Sequence, residues 1–132
     1  MAGFYVDTSI AGRAMLRHSP RALSWFEDAA ENDELLSSRL LKTELTRLAR
    51  RERIPFSVRD EVLDFIDLIP MDHAVLTEAE AILAHVRTLD AVHLGAAMRT
   101  GVEDLVIVTH DLRMLDVAQQ MGFMTLDPCA GE

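Results

Sequence analysis

Four acidic residues stand where apolar residues or ordinary helix caps would be expected. Asp7 directly follows the short apolar run Phe4-Tyr5-Val6, and only Thr109 and His110 separate Asp111 from the run Leu105-Val106-Ile107-Val108. Taken singly, each is read most simply as the N-cap of a following helix. Thr8 and Ser9 are available as caps at the first position, however, which leaves Asp7 over for another role. Glu44 lies three residues after Leu41 and four before Leu48, so helical spacing puts it on the apolar stripe Leu41–Leu45–Leu48. Asp90 heads the stripe Leu94, Ala97, Met98 in the same way, and its plain reading is again an N-cap. A carboxylate on a buried face is costly unless something compensates it. Four carboxylates converging on one point would repel one another, and their pKa values would rise unless a cation neutralised them. An all-oxygen donor set suits Mg²⁺ or Mn²⁺ rather than zinc, and such ions orient an attacking water and stabilise charge on a phosphate. Asp116 shares a mostly polar face with Leu112, Arg113 and Gln120, so it reads as solvated, or at most as a contributor outside the acidic centre.

The elements that would position these acids are strands alternating with helices. Short strands are expected at Phe4–Val6, Leu35–Leu36, Leu105–Val108 and Phe123–Leu126, with an edge strand at Ile69–Met71 beside Pro70. Helical periods run over Ile10–Leu16, Arg21–Ala30, Leu40–Arg53, Val58–Leu68, Ala74–His85, Asp90–Thr100 and Leu112–Met121, the last ended by Gly122. Fully apolar strands between helices predict a three-layer α/β/α domain around a central parallel sheet of four or five short strands. Ligands bind such folds beyond the carboxyl ends of the strands, where Asp7 and Asp111 fall. Gly95-Ala96-Ala97 removes side-chain bulk, which would let that helix approach the sheet and bring Asp90 near the strand ends.

With 132 residues the chain has room for one core, so residues 1–132 are read as a single domain. Cys129 is the one cysteine and cannot form an internal bridge, and no run approaches a membrane span, so a cytoplasmic location is expected. The net charge of −9 argues against a general nucleic-acid coat. It is unevenly spread. Residues 1–60 hold ten basic and nine acidic residues, whereas 61–132 hold three basic and thirteen acidic ones. Within Arg39–Arg59, seven basic residues face only Glu44 and Glu52.

The strings Tyr5-Val6-Asp7-Thr8-Ser9, Thr43-Glu44-Leu45, Leu89-Asp90-Ala91-Val92-His93-Leu94-Gly95-Ala96-Ala97 and Val108-Thr109-His110-Asp111, in this order and spacing, closely resemble the PIN-domain family, specifically the VapC toxins of type II toxin–antitoxin modules. The likeness runs over essentially the whole chain. It implies a PIN fold, a Mg²⁺- or Mn²⁺-dependent endoribonuclease and a cognate VapB-type antitoxin. Asp7, Glu44, Asp90 and Asp111 match the family's four acids in order. Thr109 matches the hydroxyl residue before the last acid, and Thr8 is a second supporting hydroxyl. His93 lies in the motif without an assigned role and is read as packing or hydrogen-bonding. Gly95 stands where Ala is more usual. Asp116 falls where some relatives carry a further acid.

These residues lead to an expected mechanism in which the four acids hold one or two divalent ions and a metal-activated water attacks an RNA phosphate. By the resemblance, transfer or ribosomal RNA would be the substrate. Arg47, Arg50 and Arg51 flank Glu44 and would hold the RNA backbone or antitoxin carboxylates, unless they form an ordinary solvated helix face. Met15, Leu16, Trp25 and Phe26 would line a groove for an antitoxin helix, and Val62, Phe65 and Ile66 a homodimer face. A receiver domain would need a lysine at a late strand end, but the only lysine is Lys42. A haloacid-dehalogenase-type phosphatase would need a second acid where Ser9 stands. The remaining alternative is a PIN-like module that binds RNA or a partner without cutting.

Overall fold

A computed structural model describes residues 1–132. The chain order is β1 (Gly3–Val6), α1 (Thr8–Leu16), α2 (Pro20–Asn32), β2 (Glu34–Ser38), α3 (Arg39–Arg51), α4 (Phe56–Leu63), β3 (Asp67–Ile69), α5 (His73–Glu80), α6 (Thr88–Met98), β4 (Val106–Val108), α7 (Leu112–Gln120) and β5 (Met124–Leu126). All four strand pairings are parallel, in the order β3-β2-β1-β4-β5. β3 is the edge strand expected beside Pro70, although it begins two residues earlier.

Strand alternation sorts the core into two halves. Val6, Leu35 and Val108 point into an apolar cluster with α1–α4, while Tyr5, Leu36 and Ile107 point into a second with α5–α7. The sheet is therefore covered on both faces, as its apolar strands require. Chain order reverses at β1, with β2 on one side and β4 on the other. The crevice beyond the carboxyl ends of β1 and β4 is the switch point of this topology.

Two expected helices are shorter than their apolar periods suggested. The one expected over Val58–Leu68 ends at Leu63, and Asp67–Ile69 forms β3 instead. The helix expected over Ala74–His85 ends at Glu80. From 81 to 87 exposure alternates, with Ile82, Ala84 and Val86 half-buried and Ala81, Leu83, His85 and Arg87 exposed. This is a period of two: after the turn at Ala81 the segment runs as an irregular strap whose inward residues pack on the second cluster. The helix carrying Gly95-Ala96-Ala97 does approach the sheet, with Ala96 and Ala97 packed in the second cluster beside Leu36 and Ile107, but Gly95 itself faces α5. A Cβ there would lie 2.7 Å from the Val75 carbonyl oxygen and 3.0 Å from the Ala79 amide nitrogen, so the missing side chain admits the backbone of α5.

Candidate acidic site

Asp7 is the N-cap of α1 and is buried. Its Oδ1 accepts from the Ser9 hydroxyl at 2.6 Å and weakly from the Ile10 amide at 3.4 Å, and its Oδ2 accepts from the Thr109 hydroxyl. The expectation that Thr8 and Ser9 would cap this helix is overturned. Both already have helical backbones, whereas Asp7 has the extended backbone that a cap needs. Ser9 Oγ also accepts from the His110 amide at 2.8 Å, and Thr109 Oγ1 accepts from the Asp111 amide at 3.1 Å. These bonds stitch the end of β1 to the end of β4. Burial pushes the Asp7 carboxyl above its ordinary pKa, and the Ser9 and Thr109 hydrogen bonds offset only part of that rise.

Asp111 caps α7, its Oδ1 accepting from the Met114 amide at 3.0 Å. Asp90 is not a cap. It is the third residue of α6, and Arg87 holds the cap position without a side-chain bond to the helix. Instead the Arg87 guanidinium spans both acids, Nε donating to Asp90 Oδ2 and Nη2 to Asp111 Oδ2, each at 3.0 Å.

Glu44 projects from α3 and is half-buried. Its Oε1 accepts from the Thr8 hydroxyl at 2.6 Å and from His93 Nε2 at 2.7 Å. Burial raises the Glu44 carboxyl, but the His93 and Thr8 hydrogen bonds and the charges of His93 and Arg87 hold it below its ordinary value. His93 is buried, and its Nδ1 lies 2.8 Å from the hydroxyl of Tyr5, which burial keeps protonated. An ionised Glu44 can only accept, so Nε2 carries the hydrogen, and in a neutral ring Nδ1 then accepts from Tyr5. The hydrogen-bonding role expected for His93 is thus a chain running from the core to Glu44.

The four acids lie along the carboxyl edge of the sheet and are linked through other groups: Thr109 bonds Asp7 and the Asp111 amide, Arg87 bridges Asp90 and Asp111, and Thr8 bonds Glu44. Asp90 Oδ1 and Glu44 Oε2 accept no hydrogen bond from the chain and point to no partner of their own. This donor set of hard oxygens fits Mg²⁺ or Mn²⁺. The one trio of His, Cys, Asp or Glu ligand atoms within 4.8 Å of one another is His110, Asp127 and Cys129, so the four acids are more widely spread. In the trio, the Asp127 carboxylate already accepts from His110 Nδ1 at 2.8 Å and from the Cys129 amide at 2.9 Å.

Of the two expected supporting hydroxyls, Thr109 bonds Asp7 and Thr8 bonds Glu44. Asp116 does not join them: it is more than half exposed and bonds Arg113 and Gln120. Arg47 and Arg51 line a groove of about 630 Å³ with Glu44, Thr8, Thr43 and Leu89. Arg50 points elsewhere, its guanidinium 4.8 Å from the centre of the Phe56 ring. The expected Met15–Leu16–Trp25–Phe26 groove is half right. Met15 and Phe26 line a groove with Leu23, Val58, Val62 and Phe65, but Trp25 turns to Phe4 in an edge-on contact at 5.3 Å. Of the expected dimer face, Val62 and Ile66 are buried and only Phe65 is exposed.

Sequence reasoning missed Arg87 and Ser9. Arg87 carried a signal: it is one of three basic residues after position 60 and stands three before Asp90.

A family model described as the PIN domain matches residues 4–120. Two relatives align over nearly the whole chain. Ribonuclease VapC47 of Mycobacterium tuberculosis (strain CDC 1551 / Oshkosh) is 30% identical, covering 96% of this chain and 97% of that one. Ribonuclease VapC46 of Mycobacterium tuberculosis (strain ATCC 25618 / H37Rv) is 31% identical, covering 97% and 99%. Among solved structures, DNA-bound VapBC from Salmonella typhimurium superposes with a TM-score of 0.73 at 20% identity, over 98% of this chain and 100% of that chain. VapBC2 from Rickettsia felis, bound to a DNA fragment from its promoter, superposes at 0.71 with 15% identity, over 95% and 98%. The structural likenesses bear on the fold alone, while the family match and the relatives carry the descent: this chain belongs to the PIN domain family, among its VapC-type members.

Proposed function

We propose that the protein is a Mg²⁺- or Mn²⁺-dependent endoribonuclease, the toxin of a VapBC-type module. It hydrolyses RNA phosphodiester bonds at Asp7, Glu44, Asp90 and Asp111 and is inhibited by a cognate VapB-type antitoxin. The observation that carries this reading is the placement of four carboxylates from four separate elements along the carboxyl edge of a parallel sheet, around its switch point. One of them is buried with a raised pKa and two hold an oxygen free of any donor in the chain. The names of the two relatives and the VapBC assemblies among the structural neighbours favour the same biology.

A bound divalent ion supplies an activated water and a sink for charge on the phosphate. The chain's residues do the rest. Ser9 and Thr109 hold Asp7 in one orientation, Thr8 and His93 hold Glu44, and the α7 amide of Met114 holds Asp111. Fixed ligands need no reorganisation when charge develops. Arg47 and Arg51 take the RNA backbone along the groove beside Glu44. An amphipathic antitoxin helix fits the apolar groove of Met15, Phe26, Val58 and Phe65. No helix is long and apolar enough to cross a membrane, and Cys129 is a free buried thiol, in keeping with a cytoplasmic toxin. A homodimer, with transfer or ribosomal RNA as target, completes the proposal.

The test is RNA cleavage by Asp7→Asn and Asp90→Asn variants with Mg²⁺, with Mn²⁺ and with chelator. Loss of cleavage in each variant and in chelator is expected. Undiminished cleavage by either variant overturns the assignment, and metal binding without cleavage by the unaltered chain favours the non-cutting module instead.

A further inference from the structure

Arg87 and His93 are the two nitrogen-bearing side chains that contact the acids at the switch point, and they are held in opposite ways. His93 is buried between Tyr5 and Glu44. The Arg87 side chain is 78% exposed, and its only partners are Asp90 and Asp111. Two other arginines are fastened by more than acids. Arg59 stacks 4.4 Å over Phe56 and donates to Thr46 as well as to Asp60, and Arg13 donates to the Ser9 carbonyl. Nothing comparable holds Arg87. It sits at the end of the strap, one residue before α6, so rotation of its side chain alone releases it.

The two oxygens it occupies belong to acids that the proposed nuclease reading assigns to a divalent cation. A guanidinium and a divalent ion at the same carboxylates repel each other, and the ion carries twice the charge. The fork that fits two carboxylates also fits a phosphate, with planar N–H donors in both cases. From the strap the released group stays within one side-chain length of the site.

We infer that Arg87 is a displaceable counter-ion of the acid cluster: a divalent cation competes with it for Asp90 and Asp111, and the freed guanidinium becomes a ligand of the RNA phosphate. This inference rests on the nuclease reading for its second half only. The first half concerns cation binding and needs no RNA. Before loading, Arg87 limits repulsion between Asp90 and Asp111; after loading, it supplies positive charge beside the scissile phosphate in a protein of net charge −9.

Mn²⁺ alone is titrated calorimetrically into the purified full chain, into Arg87→Gln and into Arg87→Lys. Arg87→Gln is expected to bind Mn²⁺ about fivefold or more tightly than the unaltered chain, as for two ligands that oppose each other at one site. Arg87→Lys, which keeps the charge, is expected to stay near the unaltered value. At saturating Mn²⁺, RNA cleavage by Arg87→Gln is expected to fall about tenfold or more, with partial recovery in Arg87→Lys. Equal or weaker Mn²⁺ binding by Arg87→Gln overturns the competition. Tighter binding with full cleavage overturns the phosphate role. Absence of Mn²⁺ binding in every chain overturns the metal reading of the acids and this inference with it, and normal Mn²⁺ effects with no cleavage by the unaltered chain reject the nuclease alone.

Discussion

Asp7 and His93 are held in ways that predict opposite responses to substitution. Asp7 is buried and its folded pKa is raised by desolvation, so the folded chain binds its proton more firmly than the unfolded chain does. The linkage sign follows: stability falls as pH rises from the unfolded value of about 3.9 toward the folded pKa, and the loss persists above it. Asp7→Asn removes the charge while keeping a side chain of the same shape. It is expected to raise the melting temperature of metal-free protein at neutral pH, with the gain shrinking as pH falls toward 4. Adding Mg²⁺ is expected to raise the melting temperature of the unaltered chain more than that of Asp7→Asn. Calorimetry across pH with chelator present checks both, and a less stable Asp7→Asn at pH 7 refutes the argument. His93 contributes in the other direction. His93→Ala leaves the fully buried Tyr5 hydroxyl without its acceptor, at a cost of about 1–3 kcal/mol, and frees Glu44 to turn. Cleavage is expected to fall about 10–100-fold, as when the residue behind a metal ligand is removed. His93→Gln can donate to Glu44 but not reach Tyr5, so it is expected to restore part of the cleavage and little of the stability. Equal recovery of both would mean that His93 serves packing alone.

At the scale of elements, the close pairing of α5 and α6 decides where Asp90 stands. Gly95 lets the α5 backbone come so near that a methyl group would lie 2.7 Å from the Val75 carbonyl oxygen. Gly95→Ala would gain helix propensity, worth about 1 kcal/mol in an exposed helix. Here the overlap is with backbone, which cannot swing aside, and α5 must shift. A net destabilisation of about 1–3 kcal/mol by chemical denaturation is expected. A stabilised variant would show that the helices separate at no cost. The same region shows what was readable beforehand. The strands were legible because short, largely apolar runs of two to four residues between helices leave few alternatives, and Asp7 and Asp111 just beyond two of them marked the candidate site. The strap at 81–87 was not, because Ile82, Ala84 and Val86 carry a period of two directly after a helix with apolar residues at Val75 and Leu76. Nor were the interactions that complete the site. Arg87 reaches Asp111 across 24 residues, His93 reaches Glu44 across 49 and Tyr5 across 88, and local periodicity carries no trace of pairs so far apart.

Over the whole molecule, the available positive charge is concentrated on one element, which is where the proposed RNA contact would fall. The net charge of −9 includes the four acids of the site. The three basic residues after position 60 are all paired with acids: Arg87 with Asp90 and Asp111, Arg99 with Glu78, and Arg113 with Asp116. The more available positive charge lies on α3, where Arg47 and Arg51 line the groove beside Glu44 and Arg50 stacks on Phe56 outside it. Arg51 meets only its exposed neighbour Glu52, at 3.4 Å, a surface pair that holds it weakly. These three arginines are neighbours in sequence, and a general electrostatic attraction would weigh them alike. A backbone track through the groove would not. Removing one cation that neutralises a phosphate of a single strand lowers the steepness of the log affinity against log salt plot by about 0.7. Arg47→Glu and Arg51→Glu are each expected to weaken RNA binding and to flatten that slope by roughly this amount, measured with a cleavage-dead Asp7→Asn chain. Arg50→Glu makes the same change in net charge and is expected to leave the slope within error. If all three variants shift it equally, the protein draws RNA by diffuse charge and the groove is not the track. If only Arg47 and Arg51 matter, an acidic protein binds an acidic polymer because two of its available cations are lined up in the groove beside Glu44.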